Sequence, residues 1–301
     1  MSHDKAKTAA GKGRKSDAGA ALLHYARLQL TELDGHLGLA AGADPEAVHG
    51  ARLALRRFRS AVSAYRKFLP PLPLQDLKKL KNLARGLGES RDAYVLARRL
   101  ELAMDTGRPW RRPAALRGFI GALDAHSAAR AKLLASEAPG LDEYRLAIKG
   151  LQTALDSSAV ENMGRKKARA ALESRWKKVR KRLEATMAET PEDAHFTALH
   201  ETRKALKKLR YAVEAVADAF PDRAGTILEP AVIQQRLLGE QHDAVVARAR
   251  LNAAAGSHAL DASDAAALES MESARAHSAE VEFYRAVGQN PVPAPKTALK
   301  K

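Results

Sequence analysis

The chain has no cysteine, which excludes disulfide staples, thiol nucleophiles and Cys-ligated zinc. Aromatic residues make up only 5% of it. The shortage of aromatic and β-branched residues, set against abundant Ala and Leu, favours helices over strands. No apolar run reaches the ~18 residues that a membrane-crossing helix needs. Residues Met1 to Ala20 carry lysines but no apolar segment of the kind a secretory signal requires, so a cytoplasmic location is expected. There is no glycine-rich phosphate loop, no nucleophile elbow and no His-Glu-x-x-His, so the common routes to catalysis are missing.

What the chain does have is positive charge. It carries 51 Lys and Arg against 35 Asp and Glu, a formal net charge of +16 and a pI near 10.1. Residues 1–17 contribute +3 and residues 289–301 another +3, which leaves +10 on the part that folds. A basic surplus of this size implies an anionic partner. With 301 residues, 46% of them apolar, the chain is long enough for one large domain or two ordinary ones.

The pattern along the chain is helix after helix, interrupted by Pro and Gly. Residues 1–17 read as a disordered basic tail, and 289–301, with Pro291, Pro293 and Pro295, as a second disordered end. Between them, 18–140 form a first helical half and 141–288 a second. Helices are expected over 18–39, from Pro45 to just before Pro70, over 74–86 and 89–105, and over 114–135. Shorter segments fill 141–156, a long basic helix covers 159–187, and a further helix ends at Phe220-Pro221. Three more follow at 224–238, 240–255 and 260–287. Asp44-Pro45-Glu46 and Thr190-Pro191-Glu192 both look like a capping residue followed by Pro in the first turn. No strand is expected, so the fold class is all-α.

The two halves repeat one another at a fixed offset of 151 residues. His49, Arg52, Arg56, Arg57 and Arg59 match His200, Arg203, Lys207, Lys208 and Arg210. Pro70 matches Pro221, Arg85 matches Arg236, and Leu87-Gly88-Glu89 matches Leu238-Gly239-Glu240. Arg91 corresponds to His242, Asp92 to Asp243 and Val95 to Val246. Core leucines drift between the copies, whereas basic positions stay basic. A helix turns about 100° per residue, so His49, Arg52, Arg56 and Arg59 share one stripe while Arg57 lies apart. Leu55, Phe58, Val62 and Leu69 form the apolar side. The second copy gives the same wheel, with Tyr211 beside its cations. Like charges one turn apart repel, and no acid lies between Glu46 and Asp76 in the first copy, while only Glu201 and Glu214 lie near the row in the second. An uncompensated duplicated row suggests an external anion, for which guanidinium and ammonium groups suit phosphate oxygens. The plain alternative is a solvated basic face, but solvation alone does not require the same residues twice.

The blocks His49-x-x-Arg52-x-x-x-Arg56-Arg57-x-Arg59 and Leu87-Gly88-Glu89-x-Arg91-Asp92, each present twice, resemble the CHAD (conserved histidine α-helical domain) family over roughly residues 18–288. The resemblance implies two helical bundles related by a pseudo-twofold internal repeat, with a basic channel between them. It also implies inorganic polyphosphate as ligand and an association with polyphosphate granules. Nothing in the chain resembles the Glu-rich strands of the triphosphatase to which some relatives are fused. The expected polyphosphate contacts are His49, Arg52, Arg56, Arg57, Arg59, Arg85 and Arg91, with His200, Arg203, Lys207, Lys208, Arg210, Arg236 and His242. His242 stands where the first copy has Arg91, which makes charge there pH-dependent.

No enzymatic activity, cofactor or metal is expected. His24, His36, His126, His195, His258 and His277 show no metal-binding spacing, and Asp92 and Asp243 are better read as arginine partners or helix-end groups in a Leu-Gly-Glu turn. His200-Glu201-Thr202-Arg203 superficially looks like a phosphoacceptor box, but no nucleotide-binding segment accompanies it. The alternative function is non-specific binding of a nucleic-acid backbone, which the scarcity of aromatics for base stacking disfavours. No membrane association is expected. The Pro-bearing loop around Trp110 has no assigned role at this level.

Overall fold

The computed structural model describes residues 18–136, 140–157, 163–188 and 192–300. The basic N-terminal tail and the Thr190-Pro191 start lie outside them. Within them the chain forms ten α-helices and no strand. In order they are α1 (Ala18–Ala41), α2 (Pro45–Tyr65), α3 (Leu74–Met104), α4 (Pro113–Ser136), α5 (Leu141–Asp156), α6 (Arg165–Thr186), α7 (Glu192–Glu214), α8 (Ala224–Gly256), α9 (Ala262–Gln289) and α10 (Pro295–Ala298). A single 3-10 turn, Ala217–Ala219, follows α7.

Local chemistry explains most boundaries. Asp44 caps α2, its carboxylate accepting the Ala47 amide at 2.7 Å, with Pro45 in the first turn. α2 stops at Tyr65, earlier than Pro70, because the amides of Phe68 and Leu69 turn back onto the Tyr65 carbonyl. Two expected breaks are absent: α3 runs unbroken through Gly86-Leu87-Gly88, and α8 through Gly239. Glycine inside a helix costs about 1 kcal/mol, but burial of Leu80, Leu83, Leu87 and Ser90 on one stripe of α3 outweighs it. Gly86 also lets α4 approach, since a Cβ there would stand 3.1 Å from Leu134 Cδ2. The Leu-Gly-Glu segment is therefore mid-helix, so the helix-end role suggested for Asp92 and Asp243 does not apply and the arginine-partner role remains.

Each repeat is a pair of antiparallel hairpins plus a fifth helix. α1 packs on α2, α3 on α4, and α5 lies back across α1 and α3. α6 packs on α7, α8 on α9, and α10 lies across α6 and α8. The offset of 151 residues carries α3 onto α8 and α4 onto α9 almost end for end, and it carries the start of α5 to residue 292. The segment read as a disordered end is therefore the shortened counterpart of α5. It is docked: Trp176 Nε1 donates to the Val292 carbonyl at 2.9 Å, the Lys296 amide donates to Glu173 at 3.1 Å, and Leu299 is buried. α5 likewise belongs to the first core, where Tyr144, Ile148, Leu151 and Leu155 join the leucines of α1, α2 and α3. The first repeat thus extends to residue 156, past the boundary at 140 that the sequence suggested.

Three cores result. The first is built from α1 to α5. The second is built from α6 to α9, with Ala18, Leu22, Ala61 and Tyr65 entering from the first repeat. The third joins the far ends of the two long hairpins, where Leu96 and Leu100 meet Leu251 and Leu268. Tyr65 ties the repeats together. It is fully buried, and its hydroxyl donates to the Ala212 carbonyl at 2.7 Å, satisfying an acceptor near the C-terminal end of α7. The Trp110 loop closes the far end. Its Arg111 and Arg112 amides donate to the buried carboxylate of Asp264 at 2.7 and 2.8 Å.

Candidate functional site: a cleft shared by the two repeats

α2 and α7 each place one cationic stripe against the other repeat, and α3 and α8 wall the space between. The result is a cleft of about 300 Å³ lined by residues of all four helices. Arg52, Arg56, Arg91 and Arg99 enter it from the first repeat, and Arg203, Lys207 and Arg250 from the second. His49, His242, Asp92 and Asp243 complete the polar lining, with Val95, Leu96, Val246 and Ala247 as its apolar part. Every one of these residues except His49 faces its own repeat partner in the same cleft, at the offset of 151. The partner of His49, His200, sits just behind the wall with its Nδ1 3.3 Å from Nδ1 of His242.

The two aspartates are guanidinium partners. Arg52 Nη1 donates to Asp92 at 2.9 Å and to the Gly88 carbonyl at 2.8 Å. Arg203 reaches Asp243 at 3.5 Å. The stripes therefore have counter-charges, supplied by α3 and α8, which corrects the expectation of rows without local compensation. Compensation is incomplete: seven Lys and Arg share the cleft with two Asp, and the further carboxylates, Glu46 at 4.0 Å from Arg91 and Glu240 and Glu272 on Arg99, reach only two of the seven. Arg203 Nε and Arg91 Nη1 are buried donors without an acceptor. Arg56 and Lys207 have no carboxylate partner among the described residues.

Crowded burial shows in the titrations. Desolvation, followed by the charges of Arg203 and Arg56, lowers the Lys207 ammonium to about 7. Burial, with Arg203 and His200 beside it, lowers His242 to about 4, so that ring is neutral at neutral pH. His49 is lowered by burial and by Arg91, and His200 by burial and by Lys204. Burial raises Asp243 against the pull of Arg203 and Lys207. His49, His200, Arg203, Lys207 and His242 all shift toward neutrality, whereas Arg99, bonded to Glu272 and Glu240, shifts the other way.

Of the fourteen residues singled out from the sequence, the cleft collects His49, Arg52, Arg56, Arg91, Arg203, Lys207 and His242, with His200 behind. Six stand elsewhere. Arg57 and Arg210 both pair with Glu214, at 3.3 and 2.7 Å. Arg59, Arg85, Lys208 and Arg236 are exposed outside the cleft. Arg57 leaves the site for the reason its wheel position gave, and Arg85 and Arg236 because continuous α3 and α8 turn them outward. Tyr211 is buried under the Arg210 guanidinium and is a packing residue. Arg99 and Arg250 were missed, although they match at the same offset. Arg99 also links the repeats, bonding Glu240 at 2.9 Å and the buried Glu272. Among the remaining histidines, His195 pairs with Glu280 at 2.6 Å and His36 lies 3.8 Å from Glu32. Among the described residues no group of three or more potential ligands could hold a metal ion, and no helix is long and apolar enough to cross a membrane.

An all-helical protein made of two repeats that jointly build a cationic cleft is the class that fold and site define. The particular family follows from comparison with known proteins: the CHAD domain matches residues 24–252, and the chain belongs to that family. The crystal structure of the CHAD domain from the plant Ricinus communis is similar with a TM-score of 0.69 at 22% identity, covering 92% of this chain and 95% of that one. PptA from Streptomyces chartreusis is similar with a TM-score of 0.68 at 19% identity, covering 91% and 100%. Two uncharacterized Mycobacterium tuberculosis proteins, MT2285 of strain CDC 1551 and Rv2226 of strain H37Rv, are each 28% identical over 217 residues, 68% of this chain. This chain spans about 40% of the length of those curated relatives.

Proposed function

We propose that this protein binds inorganic polyphosphate in the shared cleft without chemically altering it. The observation that carries this reading is the convergence of seven Lys and Arg from both repeats on one narrow space holding two aspartates. Such a site gains most from a ligand with a negative charge on every repeating unit. Each phosphoryl group accepts from guanidinium forks and displaces condensed counterions as it binds. Orphaned donors on Arg91 and Arg203 gain acceptors, and Lys207 gains the anion that restores its proton. Residence on polyphosphate granules in the cytoplasm would follow from the same affinity. The cleft offers no Phe, Tyr or Trp on which a base could stack, which favours a polymer without bases over a nucleic acid.

The test is the double variant Arg52→Glu with Arg203→Glu, expected to abolish polyphosphate binding while far-UV circular dichroism stays that of the wild type. Because the new carboxylates would face Asp92 and Asp243, the variant Arg56→Gln with Lys207→Gln serves as a second probe, since neither side chain has an ion pair to lose. Full affinity in both well-folded variants sinks the proposal. Release of phosphate from labelled polyphosphate in the presence of Mg²⁺ would refute its non-catalytic part.

A further inference from the structure

The repeat breaks at one place beside the cleft. In the second copy the Glu214 carboxylate gathers three groups: Arg210 Nε at 2.7 Å, Arg57 Nε at 3.3 Å and the Tyr25 hydroxyl at 3.1 Å. Counting back 151 residues from Glu214, Arg210 and Arg57 (from the last, counting forward) gives Ser63, Arg59 and Lys208. A neutral hydroxyl stands where the other copy has a carboxylate. The two cations that correspond to its partners are exposed, with no carboxylate of their own among the described residues. A third cation is present that the other copy lacks: Arg175 of α6, half-buried, donates to Ser63 Oγ at 3.4 Å. Burial lowers the pKa of Arg175, and no carboxylate offsets the effect, only the phenol of Tyr65.

Next to Ser63 a groove of about 740 Å³ runs between the end of α2 and α6. Arg66, Lys67, Lys167, Arg175 and Lys178 line it, and no acid does. Its counterparts in the other repeat are Ala217, Asp218, His24 and, for Lys178, Arg27, which pairs with Asp156 at 2.6 Å. Ser63 lies two turns beyond Arg56 on the same stripe of α2, ~10 Å along the axis, with Arg59 between them. The cationic lining therefore continues out of the cleft on this side, while on the other side Glu214 ends it.

Building on the polyphosphate reading of the cleft, we propose that a long polyanion leaves the cleft in one direction only. It passes Ser63 and lies in the α2–α6 groove, which forms a second phosphate-binding segment. An anionic oxygen of the chain takes the place beside Ser63 that the Glu214 carboxylate holds in the other repeat.

The test compares tripolyphosphate, short enough for the cleft alone, with long-chain polyphosphate in calorimetric titrations of the full chain. Ser63→Glu is expected to lower long-chain affinity about tenfold and flatten its salt dependence, with tripolyphosphate binding unchanged within about twofold. Ser63→Gln, similar in size but uncharged, is expected to behave as wild type. Ser63 is exposed, and a glutamate there sits one turn from Arg59 and Lys67, so the helix tolerates it. Equal effects on both ligands, or none on either, overturn the one-sided path. Undiminished tripolyphosphate binding by Arg56→Gln with Lys207→Gln instead overturns the cleft reading on which it stands.

Discussion

Arg52 and Arg203 do the same thing in the two repeats, each bonding an aspartate on the neighbouring long helix. Ser63 and Glu214 do not, and neither do α5 and α10, which differ in length by a factor of four. The contrast has a physical order. Positions that line the cleft are mostly held alike, because a change in one wall of a shared cleft is felt by the opposite wall. Positions beyond the cleft, Ser63 and Glu214 among them, escape that constraint and have diverged even where they meet the other repeat. Duplication has thus produced a nearly symmetric cleft inside an asymmetric frame.

The largest expected effect comes from the fifth helices. Leu151 of α5 is fully buried in the first core, and Leu151→Ala should cost about 4 kcal/mol in chemical denaturation. Leu299 is buried beside α10, a helix of a single turn that can shift to fill the space, so Leu299→Ala should cost about 2 kcal/mol or less. Equal costs would mean that α10 supports its repeat as fully as α5 does.

Next comes a matched pair within the cleft. Arg99 bridges Glu240 and the buried Glu272, whereas Arg250, its repeat partner, is exposed and has no ion pair among the described residues. Arg99→Ala should destabilise the protein by about 3 kcal/mol, because it strips a partner from a buried carboxylate that retains only Arg275. Arg250→Ala should change stability by less than about 0.5 kcal/mol. If both are silent, Arg99 is a binding residue alone and does not hold the repeats together.

The smallest effect separates Lys207 from Arg56, which share one repeat position. Burial and the charges of Arg203 and Arg56 lower the Lys207 ammonium to about 7, and a bound polyanion would favour its charged form. Above that pH, binding must take up a proton, so affinity falls as pH rises and is constant in this respect below it. Long-chain polyphosphate should bind up to about 25-fold more weakly at pH 8.5 than at pH 6.5. Lys207→Arg, which keeps its charge, should remove most of that slope, while Arg56→Lys should leave it in place. A slope untouched by Lys207→Arg would assign the proton to another group.

Much of this molecule is readable from its residues. The all-helical class follows from composition, and α2 begins where Asp44-Pro45 says it should. The offset of 151 residues survives in the structure: it carries the bounds of α3 onto those of α8 to within a residue, and the cleft is built almost wholly of offset pairs. The errors have one origin. Gly86, Gly88 and Gly239 look like breaks because glycine weakens an isolated helix, but packing on the leucine stripes holds α3 and α8 intact. Pro291, Pro293 and Pro295 look like a frayed end because the chain there has little helical propensity, but Trp176 and Glu173 fasten it to α6. In both cases tertiary contacts overrode a local preference worth about 1 kcal/mol per residue.

By itself the amino-acid order determined the duplication, the amphipathic faces and the cationic surplus, since each depends on residue type and helical spacing alone. Only the tertiary structure decided which cations meet. It supplied Asp92 and Asp243 from helices distant in sequence, sent Arg57 and Arg210 to Glu214, and brought Arg99 and Arg250 into the cleft. Charge interactions depend on distance and local dielectric, and both are set by how the helices pack rather than by order along the chain.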